Sequence, residues 1–173
     1  FTSNKILFKD VPIKKNSDGE YIFYDKVNEF YYLTNKYTSK ELDLLARLMR
    51  AEAVGEGEYG MLMVGNVGVN RVLANCYTFR NINTITKMVY QNPGGFAGIN
   101  SPQFTSGSTI KERELAERNL KGEYYYPATN ALWFYAPGRN NNCISTWYDQ
   151  TLAGRFKNHC FYAPDPNVCP PLH

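Results

Sequence analysis

Between Thr38 and Gly57 the start, the buried stripe and the end of one helix are all legible in the residues. Thr38-Ser39-Lys40-Glu41 is a capping box, in which the Thr hydroxyl and the Glu41 carboxylate each satisfy a backbone N–H of the other residue. Apolar residues then recur at Leu42, Leu45 and Leu48/Met49, the spacing of one helical face. Gly55 and Gly57 end the pattern. One turn on from Leu48 and Met49, on the same face, stands Glu52. A carboxylate in that position is either paired with a cation, with Arg47 and Arg71 as candidates, or holds its proton at a raised pKa. The second state is the one a general acid needs.

Further helices follow. The second is expected from about Glu58 to Val72, with Tyr59, Met63, Asn66/Val67 and Asn70 on one stripe. Gly60, Gly65 and Gly68 cost helix propensity and predict close packing against another helix. A short third helix is expected near Thr84–Tyr90, then a loop over Gln91–Phe96 by its Pro and Gly content. Thr109-x-x-Glu112 caps a fourth helix that stops at Gly122. The last third reads as two strands, Asn130–Tyr135 and Lys157–Tyr162, joined by a polar loop. Residues 1–37 read as a hairpin-like extension, in which Ile6-Leu7-Phe8 and Glu20–Tyr24 flank the turn Asn16–Gly19 and the aromatic Phe30–Leu33 follows. The extension pads the main domain, residues 38–173, or docks a partner. Helices first and a small antiparallel sheet after them make the fold class α+β. A cleft between the two parts would bring Glu52 near the aromatic strands.

A chain of 173 residues suits one domain with a real core. The net charge of +3, with no basic cluster beyond Lys14-Lys15, argues against nucleic acid as a partner. No apolar run approaches the ~20 residues of a spanning helix, and no signal-peptide pattern is visible. The four cysteines contain no C-x-x-C, and His159, Cys160 and Cys169 fit no standard zinc spacing, so no metal or cofactor is expected. The cysteines form two disulfides, in one of three pairings, or stay as buried thiols. The 14 Tyr, 10 Phe and 2 Trp suit either a sugar-binding groove or an aromatic core. Tyr90, Gln91, Phe96, Trp133, Tyr135 and Tyr162 are the candidate groove residues, with about half expected to be core.

Several separated segments resemble one known family. They are Leu45-Ala46-Arg47-Leu48-Met49-Arg50-Ala51-Glu52-Ala53, Gly60–Arg71, Met88-Val89-Tyr90-Gln91, Ala131-Leu132-Trp133-Phe134 and Lys157-Asn158-His159-Cys160-Phe161-Tyr162. In this order they are similar to the bacterial spore cortex-lytic cell wall hydrolases of the CwlJ/SleB type. Cys76 after Asn75, and Cys160 after His159, place the chain nearer the CwlJ type. The resemblance covers roughly residues 38–169. The loop Asn92-Pro93-Gly94-Gly95 and Ala97 after Phe96 depart from the family pattern.

The resemblance implies a lysozyme-like fold and an enzyme that cuts peptidoglycan glycan strands, as a hydrolase or a lytic transglycosylase. Its substrate would be spore cortex containing muramic-δ-lactam, its moment germination, its place the spore coat, cortex or another extracytoplasmic wall. A spore coat protein would be a further partner. Glu52 would be the catalytic acid. A glycosidase also needs a way to trap the oxocarbenium-like centre, usually a second carboxylate. Glu56 is the candidate, against the plainer reading of a solvated loop residue. A lytic transglycosylase dispenses with it, because the sugar's 6-hydroxyl attacks. Asn70 would orient sugar amides or Glu52, and His159 is either a structural histidine or a contributor behind the site. Two rival readings remain: a wall- or coat-binding protein without activity, and a Cys/His peptidase or amidase using Cys76 or Cys160. Neighbouring residues in a strand point to opposite faces, which disfavours a His159–Cys160 dyad.

Overall fold

A computed structural model describes the backbone of residues 13–15, 20–24 and 31–173, and the side chains of residues 37–173. Strands β1 (Ile13–Lys15), β2 (Glu20–Tyr24) and β3 (Tyr31–Thr38) form an antiparallel sheet in that order, with Ile13 opposite Phe23 and Glu20 opposite Thr38. The strand facing β2 on its outer side is thus Ile13–Lys15. Ile6-Leu7-Phe8 and the turn at 16–19 lie outside the described residues. Strand β3 runs directly into Thr38, the cap of the first helix.

Helix α1 (Ser39–Ala53) starts on the expected capping box, with both reciprocal bonds formed. The second oxygen of Glu41 accepts from the backbone and hydroxyl of Thr86. The cap therefore also ties α1 to α3 (Ile85–Val89). Leu44, Leu45, Leu48 and Met49 are buried on the inner face. Helix α2 (Gly57–Leu73) is the centre of the molecule, with every residue from Gly60 to Leu73 buried. A helix enclosed on all sides needs small residues where neighbours come closest. At Gly65 a Cβ would sit 2.0 Å from Asn119 Oδ1. Asn119 belongs to α5 (Ile110–Leu120) and donates to the Leu62 carbonyl at 2.8 Å. At Gly68 the close neighbour is Met88 of α3. Gly60 departs from the expectation of a facing helix, because its close neighbour is the Glu56 side chain one turn before it. A short helix, α4 (Pro102–Thr105), precedes α5, which opens on the second capping box.

The C-terminal third holds a four-stranded antiparallel sheet, ordered β4 (Trp133–Tyr135), β7 (His159–Ala163), β6 (Gln150–Phe156), β5 (Thr146–Trp147). The segment expected as a polar loop therefore contains two strands. Two features hide them from a sequence reading. The period-2 pattern of β6 is broken by a register shift between Leu152 and Gly154. The β5–β6 turn is Tyr148-Asp149, with φ of 49° and 65°, where Asn-Gly or Asp-Gly is the usual signal. Gly154 has its own constraint, since a Cβ there would sit 2.7 Å from Pro127 Cβ.

The cross-strand register puts Trp133, Tyr135, Trp147, Gln150 and Tyr162 on one face of this sheet. Phe134 and Phe161 occupy the other and pack with Met63 and Val67 of α2. Disulfides join Cys76 to Cys169 and Cys143 to Cys160. The observed class is α+β, a helical body with a small antiparallel sheet against it.

Candidate active site

A cavity of about 570 Å³ opens between the two parts. Its floor carries Glu52 from the last turn of α1 and Arg71 from α2. One wall is Thr78 with the loop Gly94–Ala97. The opposite wall is the sheet: Trp133–Ala136, the β5–β6 hairpin with Trp147, Tyr148 and Gln150, and His159. A cleft of this size, largely apolar with few polar groups, is the common form of a small-ligand site.

Glu52 is half-buried, and its Oε1 accepts the Gly98 backbone N–H at 2.9 Å. Burial pushes its carboxyl above the usual carboxylate range, while the Gly98 N–H and the charge of Arg71 pull the other way. Among the described residues its carboxylate makes no ion pair. Arg47 is taken by Asp43 at 2.8 Å. Arg71 Nε donates to the Leu132 carbonyl at 2.8 Å, and Nη1 donates to the Gly94 carbonyl at 3.0 Å. Its guanidinium also lies over the Phe96 and Phe79 rings, 4.5 and 5.0 Å from their centroids. Burial draws Arg71 down to about 10, and Glu52 acts against that shift. Arg71 thus stays charged at neutral pH and links the two cavity walls. Of the two states open to Glu52, the geometry favours the raised carboxyl, because Glu52 is partly buried and the nearby cation, Arg71, is hydrogen-bonded elsewhere.

The structure brings Glu52, Phe96, Trp133, Tyr135 and His159 together around the cavity. Phe96 stacks on Phe134 with centroids 6.0 Å apart. His159 is buried with its ring edge against Phe134, and burial lowers its pKa against the pull of Glu56. Burial thus favours its neutral form, and its Nδ1 has no partner among the described residues.

The other sequence candidates lie elsewhere. Asn70 is fully buried, and its Nδ2 donates to the carbonyls of Ala128, Thr129 and Ala131, so it holds the turn before β4. Glu56 is buried where α1 meets α2 rather than solvated. Its backbone carbonyl accepts from Lys157 Nζ at 2.9 Å, and its Oε2 accepts the Asn158 N–H at 3.4 Å. Those bonds tie the β6–β7 turn to the helix junction and keep Glu56 out of the cavity lining. Tyr90 is 50% exposed and sits edge-on to Phe104, away from the cleft. Gln91 is buried behind Thr78, to whose hydroxyl it donates at 3.4 Å. Tyr162 lies beneath the wall, stacked on Tyr135, with its hydroxyl donating to the Ile144 carbonyl at 2.8 Å. The cysteine-peptidase reading is corrected here: both Cys76 and Cys160 are disulfide-bonded, so neither offers a thiolate. The same bonds remove Cys160 and Cys169 as zinc ligands.

Sequence reasoning missed Gly98, Trp147, Tyr148 and Gln150, and named Arg71 only as an ion-pair partner. Gly98 packs closely against α1. A Cβ there would lie 2.7 Å from Glu52 Oε1 and 3.0 Å from Ala51 Cβ. No local signal marks it. Adjacent aromatics in a polar stretch were the only hint of Trp147-Tyr148.

The chain is similar to known proteins in both sequence and fold. The family model described as Cell Wall Hydrolase matches residues 55–162, beginning just past Glu52. The cell wall hydrolase CwlJ of Oceanobacillus iheyensis is 52% identical over 135 residues, covering 78% of this chain and 94% of that protein. Those of Halalkalibacterium halodurans and Bacillus subtilis are 49% and 46% identical, covering 79% and 76% of this chain and 94% and 91% of theirs. Among solved structures, the catalytic domain of the Bacillus cereus SleB protein superposes with a TM-score of 0.58 at 22% identity, over 74% of this chain and 93% of that one. That likeness establishes the shared lysozyme-like fold. With such identity across nearly the full length of its relatives, this chain belongs to the cell wall hydrolase family, CwlJ type.

Proposed function

We propose that this chain cleaves the glycan strands of spore cortex peptidoglycan outside the cytoplasm, with Glu52 as the general acid. The observation that carries the reading is the half-buried Glu52 carboxyl, raised by burial and fixed by the Gly98 N–H at the floor of an aromatic-walled cleft. Glu52 gives its proton to the glycosidic oxygen as the C1–O bond breaks. The oxocarbenium-like sugar and the new carboxylate form together, and the charge of Arg71 stabilises the carboxylate.

Among the described residues lining the cleft, Glu52 is the only carboxylate. This favours the transglycosylase route over hydrolysis. The sugar's own 6-hydroxyl attacks C1, its proton returns to Glu52, and a 1,6-anhydro ring closes. Mass spectrometry of fragments released from purified cortex tests the route. Anhydro ends are expected, about 18 Da (one water) below the hydrolysed ends. Ends of hydrolysed mass alone would assign a water as the nucleophile.

Gly98 should matter as the residue that positions Glu52. Gly98→Ala pushes the 97–100 turn away from α1 and loosens the bond to Oε1. A displacement on the order of 1 Å at a reacting group costs up to about 10²-fold in rate. The expected result is a rate lowered about 10- to 100-fold in a folded protein. That N–H lowers the Glu52 pKa, so the alkaline limb of the pH profile should move upward. A variant with the wild-type rate and pH profile would rule out this role.

A further inference from the structure

We infer that the β5–β6 hairpin is a sugar-binding subsite on the cleft wall. Trp147 and Tyr148 take the face of a pyranose ring, and the Gln150 carboxamide oxygen accepts from one of its amide or hydroxyl donors. The inference rests on the glycan reading above and deepens it by naming the residues that hold the ring.

Three independent observations converge. The first is conformational. Tyr148 and Asp149 both adopt left-handed backbone angles, a geometry unfavourable for a bulky ring, and Tyr148 is nevertheless 80% exposed. An aromatic that gains little from burial and occupies a disfavoured conformation is the pattern of a ligand contact rather than of packing. It lines the cavity that Glu52 lines.

The second is support. Trp147 rests on Tyr135 at 4.9 Å and on Tyr162 at 5.4 Å between centroids. Tyr162 is held in turn by its bond to the Ile144 carbonyl, and the Cys143–Cys160 disulfide crosses beside it. The hairpin therefore presents a braced aromatic surface, which loses little side-chain freedom when a ring docks on it.

The third is an unsatisfied acceptor. Gln150 is directly opposite Trp147 in the strand register, so the two side chains share a face. It is only 8% exposed, it lines the cavity, and its Oε1 has no partner among the described residues. A buried acceptor without a donor is a standing free-energy cost that a ligand N–H or O–H removes. This wall section, Tyr135, Ala136, Trp147, Tyr148 and Gln150, carries no charged side chain. An apolar face beside one polar acceptor fits a neutral amino-sugar ring, with its C–H face and its amide edge.

Binding of a β-1,4-linked N-acetylglucosamine hexamer to the full chain, followed by calorimetry, tests the subsite. Tyr148→Ala and Gln150→Met should each weaken the dissociation constant about five- to twentyfold. Tyr148→Phe, which keeps the ring face, should stay within about twofold. Melting temperatures near wild type show that the variants are folded. Unchanged affinity in Tyr148→Ala and Gln150→Met, with a wild-type chain that binds the hexamer and cleaves cortex, overturns the subsite and leaves the glycan reading standing. A wild-type chain that cleaves cortex without binding the hexamer also overturns the subsite alone. A wild-type chain that neither binds nor cleaves overturns both.

Discussion

Glu52→Gln should lower cortex cleavage by about 10²- to 10⁴-fold, the usual loss when a positioned acid is removed. The substitution is nearly isosteric, and the amide oxygen can still accept the Gly98 N–H now held at 2.9 Å. What disappears is the acidic proton. The sign of the accompanying stability change is fixed by the direction of the pKa shift. Burial raises the folded-state pKa of Glu52, so the fold disfavours the ionised form. Stability is lost as pH rises from the ordinary carboxylate value, about 4.3, through the raised one, and stays lost above it. Glutamine does not ionise, so the variant should be at least as stable as wild type at pH 7. In the wild type, activity requires the protonated acid. The rate should therefore fall with rising pH through an apparent pKa above the ordinary carboxylate range. Rate measurements on purified cortex and thermal melts at pH 5 and 7 check both halves. A variant that keeps a third or more of the wild-type rate would falsify the assignment of Glu52 as the acid.

The second large effect concerns stability. The Cys76–Cys169 disulfide closes a loop with a sequence separation of 93 residues, and the Cys143–Cys160 bond one of 17. In the chain-entropy account a loop near 100 residues contributes about 4.7 kcal/mol and one near 15 residues about 3 kcal/mol. Cys76 and Cys169 are both buried with Phe79 and Leu132, immediately behind Trp133 of the cleft wall. Replacing both with Ser should cost about 4–5 kcal/mol in denaturant unfolding. The rate per folded molecule should stay within about twofold, since neither sulfur lines the cavity. A double variant that unfolds like wild type but has no turnover would assign this pair a direct part in the chemistry.

What could be read without coordinates depended on how local its cause is. Both capping boxes, at Thr38 and Thr109, depend on a three-residue spacing and formed as expected. The stripe that carries Leu45, Leu48 and Met49 to Glu52 depends on helical period alone, and it placed a carboxyl against the interior. The runs of strand-forming aromatic residues within Asn130–Tyr135 and Lys157–Tyr162 were enough to mark two strands, β4 and β7. The separated motifs added the family, which the sequence relatives bear out.

Other features have causes that are distant in sequence. Gly98 is an ordinary loop glycine until the fold sets its N–H against a carboxylate 46 positions earlier. Asn70 shares a helical stripe with Met63, yet whether that stripe faces a ligand or the turn at 128–131 is decided by what packs on it. Glu56 stands beside Glu52 in the chain but is turned into the helix junction by the backbone of Asn158. Four cysteines allow three pairings, and only the tertiary approach of the segments that carry them selects Cys76–Cys169 and Cys143–Cys160. The Tyr148-Asp149 turn violates the usual turn chemistry, so no residue preference announces it. Local propensity and periodicity thus determined the longer helices, strands β2, β4 and β7, and the placement of Glu52 against the interior. The cleft around Glu52 is a set of contacts between residues far apart in sequence, and tertiary packing alone decided which of them face it.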